Sequence, residues 1–168
     1  DQCRIEFLVP TRGLLGFRGD FIIETKGEGI LNHSFLKFEK EKGEIPGRSR
    51  GSMISMTPGE TMAFSLWNLQ DRGTLFVGAQ TPVYEGMIIG ESNKSEDMMV
   101  NPTKNKKLTN VRASGSDEAM TLVPVQEMSL EQALEYISDD ELVEVTPKSI
   151  RLRKKLLTEV ERKRANPK

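Results

Sequence analysis

Beyond residue 48 the chain is cut by glycine and proline into strand-length pieces at residues 52–56, 61–69, 74–77, 87–91 and 98–101. Turns fall at Pro58-Gly59, Asp71-Arg72-Gly73 and Tyr84-Glu85-Gly86. Pieces this short, rich in alternating apolar residues and bounded by turn formers, predict strands and not long helices. Residues 121–125 resume the pattern, and residues 142–145 and 149–152 add two strands around Pro147. Two helices are expected late in the chain. Ser129 with Gln132 forms a capping box before Leu130, Ala133, Leu134 and Ile137, which share a helical face; Thr158 with Glu161 opens a basic helix to about Ala165.

The first 40 residues read differently. Ile5, Phe7 and Val9 alternate up to Pro10, and residues 30–38 read as a second strand. Between them Leu14, Leu15, Phe17, Phe21 and Ile22 recur at helical spacing, with Thr11 as a cap. Gly13, Gly16 and Gly19 lie inside that stretch, each costing about 1 kcal/mol of helix propensity relative to alanine, so the helix depends on packing. The charged, turn-rich stretch from Glu39 to Arg48 is the best boundary. The expected architecture is α+β: a strand–helix–strand unit over residues 1–40, then a β-rich domain over 41–168.

Composition narrows the chemistry. With 168 residues, 36% hydrophobic and 29% charged, the chain is polar but foldable. No apolar stretch approaches the ~20 residues that span a bilayer, and no basic, apolar leader opens it. Cys3 is the only cysteine and His33 the only histidine. An internal disulfide, a thiolate cage and a two-histidine metal site are therefore excluded, and a reducing, cytoplasmic setting is expected. No Gly-x-x-x-x-Gly-Lys-Ser/Thr loop is present, so no nucleotide phosphate site is expected. The chain reads as a binding module and not a catalyst.

Charge is segregated behind a net value of −1. Every charged residue from Glu127 to Glu144 is acidic, whereas residues 148–168 carry nine cations against Glu159 and Glu161. A second basic run, Lys104, Lys106, Lys107 and Arg112, has no acid from Asn101 through Ser116. A polyanion responds to such local fields and not to the sum. Residues 101–118 also lack helical or strand periodicity and exceed the ~12–15 residues beyond which loops are commonly functional. Their donors suit phosphates (Lys104, Lys106, Lys107, Arg112) and sugars or base edges (Thr109, Asn110, Ser114). Without an aromatic residue, the loop fits backbone and shape contact better than base stacking.

Specific words complete the reading. Thr11-Arg12-Gly13-Leu14-Leu15-Gly16-Phe17-Arg18, Leu69-Gln70-Asp71-Arg72-Gly73, Val83-Tyr84-Glu85-Gly86-Met87-Ile88-Ile89-Gly90-Glu91 and Lys106-Lys107-Leu108-Thr109-Asn110-Val111-Arg112 resemble the C-terminal part of the BipA/TypA family. These are bacterial translational GTPases related to elongation factor G. The resemblance implies that residues 1–40 are the second half of a ferredoxin-like domain V and residues 41–168 the family's own C-terminal domain. It implies a ribosomal partner (rRNA and A-site tRNA), contact near the acceptor arm and peptidyl transferase region, and roles in large-subunit assembly and stress-responsive translation. No membrane, DNA or cofactor is expected for this region, GTP and Mg belonging to the family's N-terminal domain. The expected RNA-binding residues are Lys104, Lys106, Lys107, Thr109, Asn110, Arg112 and Ser114 in the loop, with Arg151, Arg153 and Lys154 in the basic tail. The alternative is a protein-interaction module that uses the acidic helix or Met62, Met87, Met98 and Met99.

Overall fold

The computed structural model describes residues 3–41, 43, 48–105 and 121–165. Helix α1 (Phe17–Glu24) follows a 3-10 turn over Thr11–Leu14. Gly16 separates them: its φ of 73° is left-handed, so the single expected helix is broken there. Neither residues 4–9 nor residues 30–38 form the expected strands. Alternation marks a face, but a strand also needs a neighbour for its backbone N–H and C=O groups, and neither segment pairs with one among the described residues. Ile5, Phe7, Ile30, Phe35 and Phe38 are accordingly exposed.

The rest is a mixed α+β arrangement. Its strands and helices are β1 (Ser52–Ser55), β2 (Gly59–Glu60), α2 (Ala63–Leu69), β3 (Gly73–Leu75), β4 (Pro82–Val83), β5 (Met87–Ser92), β6 (Met98–Val100), α3 (Leu130–Tyr136), β7 (Glu141–Val145), β8 (Ile150–Lys154) and α4 (Glu159–Ala165). The main sheet runs β6-β1-β5-β8-β7, and β3 pairs with β5 beyond the stretch that β8 occupies. Within it β1–β6 is parallel and the other pairs are antiparallel. β5 is the hub because its apolar run Met87-Ile88-Ile89 is buried on both faces. Met87 and Ile89 pack with Met53, Leu66, Leu69 and Val100 on the α2 side. Ile88 packs with Ile54, Ala133 and Leu152 on the α3 side.

Several local expectations change. The strand expected over residues 61–69, paired through Pro58-Gly59, is replaced: β2 pairs with β4 and α2 follows. The buried positions Thr61, Ser65, Leu66 and Leu69 have helical spacing, which the alternation of Met62, Phe64 and Leu66 conceals in a run this short. Residues 121–125 form no strand. Both capping boxes form: Ser129 with Gln132, and Thr158 with Glu161. Ala133 and Tyr136, not Leu130 and Leu134, face the sheet; both leucines are exposed. Asp139 and Asp140 form a turn before β7, and Met87, offered for a protein-interaction surface, is core.

Candidate nucleic-acid interface

Lys106, Lys107, Thr109, Asn110, Arg112 and Ser114 lie outside the described residues, but both roots of their segment are described. On the entry side Pro102 is fully buried, and the Asn101 carboxamide accepts from the Thr103 amide at 3.0 Å and its hydroxyl at 2.9 Å. Ser65 of α2 then donates to the Lys104 carbonyl at 2.5 Å, while the Lys104 residue stays exposed. On the return side Gln70, directly after α2, donates to the Thr121 carbonyl at 3.2 Å and accepts from the Val123 amide at 3.0 Å. The Gln126 amide donates to the Leu75 carbonyl at 2.9 Å. Ser65 of α2 thus holds the entry end, and Gln70 just after it, with Leu75 of β3, holds the return end.

The three tail residues part company. Alternation along β8 places Ile150, Leu152 and Lys154 towards α3, and Arg151 and Arg153 towards the opposite face. Lys154 is buried, and its ammonium bonds Asp97 at 2.6 Å, Glu141 at 2.8 Å and Asp140 at 2.9 Å. Its three N–H donors are thus filled inside the protein. Burial lowers its pKa, but the three carboxylates outweigh this and hold it above the usual lysine value. Glu141, also buried, accepts from Arg48 at 2.6 Å, Ser52 Oγ at 3.2 Å and the Ser138 amide at 2.9 Å. The Arg48 guanidinium stacks 4.2 Å from the Tyr136 ring centre. Burial lifts the Tyr136 phenol to about 12 despite its bond with Ser52 and the nearby Arg48. This network joins β1, Asp97, α3, β7 and β8.

Residues 50–159 match the TypA/BipA C-terminal domain family, a stretch that contains the whole main sheet. The chain belongs to this family. The matched region is the C-terminal domain and not a GTP-binding domain. The chain is 54% identical over 166 residues to the large ribosomal subunit assembly factor BipA of Haemophilus influenzae and to that of Salmonella typhimurium, and 53% identical to that of Escherichia coli K12. Each alignment covers 98% of the chain, which spans 27% of each relative's length. No helix among the described residues is long and apolar enough to cross a membrane.

In this family member, Arg151 and Arg153 converge on Glu144 of β7. Arg153 Nε lies 2.9 Å from one carboxylate oxygen and Arg151 Nε 3.6 Å from the other, which also accepts from the Tyr84 hydroxyl at 2.5 Å. Burial and the bond to Glu144 raise the Tyr84 phenol far above its ordinary value. Neither arginine Nε makes a directed hydrogen bond although both atoms are buried; their attraction to Glu144 is one of charge and not of aligned donors. Sequence reading missed Tyr84 and Glu144. The available signal was the expected hairpin around Pro147, whose register sets Glu144 opposite Arg151.

Proposed function

We propose that this chain is the ribosome- and RNA-binding C-terminal region of a BipA/TypA translational GTPase. In that reading it reaches the A-site tRNA acceptor arm and the peptidyl transferase region and serves large-subunit assembly and stress-responsive translation in the cytoplasm. Residues 1–40 act as the second half of a ferredoxin-like domain, and residues 41–168 as the binding domain. The relatives' name, large ribosomal subunit assembly factor, supports the partner. The observation that carries the reading is the loop: both its roots are tied to α2 and Gln70, and no acid from Asn101 through Ser116 opposes Lys104, Lys106, Lys107 and Arg112.

Several terminal cations already have partners within the protein. Lys155 donates to the Asp139 carbonyl, Arg162 to the Leu156 and Leu157 carbonyls, and Lys163 pairs with Glu159. Two four-residue alanine variants make the test: Lys104, Lys106, Lys107 and Arg112 in one, Lys155, Arg162, Lys163 and Arg164 in the other. Both are cosedimented with large ribosomal subunits across a salt series, after folding is checked by circular dichroism. The loop variant should lose more affinity, its salt slope falling by roughly one unit for each phosphate it no longer neutralises. Equal or greater loss in the tail variant overturns the loop as the main RNA contact. Salt-insensitive binding by the wild type points to a protein partner instead.

A further inference from the structure

We propose that Tyr84, Arg151 and Arg153 form a phosphate-binding site for RNA, and that Glu144 is its built-in competitor. The proposal rests on the RNA-binding reading above and adds a second site, on a rigid strand, with its own control. The carboxylate of Glu144 sits where an oxyanion would: the Tyr84 hydroxyl reaches one oxygen at 2.5 Å, and the two guanidiniums approach from β8. These are the donor types that recognise phosphate, arginine above all for its fixed fork of N–H groups.

Two features show that Glu144 fills the place without saturating it. Arg151 Nε and Arg153 Nε are buried yet lack an aligned acceptor, and an unmet buried donor costs free energy that a better-placed oxygen recovers. One carboxylate against two guanidiniums also leaves a net positive charge at the site. A phosphodiester has two unesterified oxygens, as Glu144 has, but larger separation between them and more lone pairs in reach. The side chains are partly exposed, with 36% for Arg151, 25% for Arg153 and 31% for Glu144, so the carboxylate can swing out as the phosphate enters. Arg153 is further held by its Nη1 bond to the Lys154 carbonyl at 3.1 Å.

The test is Glu144→Gln in the full chain, titrated by filter binding against protein-free large-subunit rRNA across a salt series. Removing the competitor should tighten binding several-fold and steepen the salt slope by about one unit, since one more cation becomes available to phosphate. Adding Arg151→Ala and Arg153→Ala should abolish that gain, and the same pair in the wild-type background should weaken binding by a smaller factor than it does beside Glu144→Gln. Glu144→Ala, which empties the position, serves as the second variant should the glutamine not fold. Unchanged or weaker binding in a folded Glu144 variant overturns the proposal, as does a gain that survives loss of both arginines. Wild-type cosedimentation with subunits stands apart from these outcomes, so its failure marks the parent reading and not this one.

Discussion

Lys154 shows how far one residue's role departs from its neighbourhood in sequence. It sits in a basic tail, yet it is a buried counter-ion to three carboxylates. The alternation Ile150, Leu152, Lys154 places it on an inward face and was a legible warning; that Asp97 would meet it was not, because the two segments lie far apart in sequence. Lys154→Met should lower stability by about 3–5 kcal/mol, since uncompensated charge is left on Glu141 and its neighbours; urea unfolding measures it. The pH dependence has a defined sign. Burial pushes the Asp97 carboxyl up, but bonds from Lys154 and the Ser52 amide outweigh it and hold its pKa below 3.8. Its contribution is present above that value and lost as pH falls through the folded pKa. Lys154, held above 10.5, contributes below that value and loses its share as pH rises through its folded pKa. Unfolding midpoints should therefore form a plateau between these limits, with a shallower acid limb in the Lys154→Met variant.

At the level of elements, local rules succeeded where the partner was also local. The Ser129 capping box needs only residues three apart, and both of its bonds form; Ser129→Ala should cost about 1 kcal/mol. The β7–β8 hairpin was legible for the same reason. Residues 61–69 were not, because a run this short offers either period until the core selects one. Gly90, in mid-strand, is a case in which the neighbours decide. A Cβ there would run into the Thr74 carbonyl oxygen and lie 2.6 Å from Met53 Cε, so β3 and β1 approach only because the side chain is absent. Gly90→Ala should destabilise by about 1–3 kcal/mol through overpacking, seen as a lower thermal midpoint with the native circular dichroism spectrum retained.

For the whole molecule, the acidic and basic segments that looked like two surfaces meet in part, with Asp140, Glu141 and Glu144 paired to Arg151, Arg153 and Lys154 around a hairpin. In the proposed function the charge offered to RNA is that of Lys104, Lys106, Lys107 and Arg112, together with whatever Glu144 leaves of the arginine pair. Composition and aperiodicity singled the loop out; its anchorage was invisible because Ser65 and Gln70 act through tertiary bonds. Arg48, at the end of the stretch expected as a joint, pairs through its guanidinium with buried Glu141. A chain starting at Arg48 should unfold with the stability of the sheet intact, whereas one starting at Gly51 should lose about 1–3 kcal/mol as buried Glu141 gives up its Arg48 bond and keeps Lys154 as its counter-ion, compared by urea titration. The fixed stems have a consequence for how such a domain diversifies. With Lys104 and Thr121 each fastened beside α2, the sheet keeps its register whatever sequence joins them. For a flexible connection in general, doubling the length adds only about 0.6 kcal/mol of closure entropy, so such stems tolerate the grafting of new sequence between them.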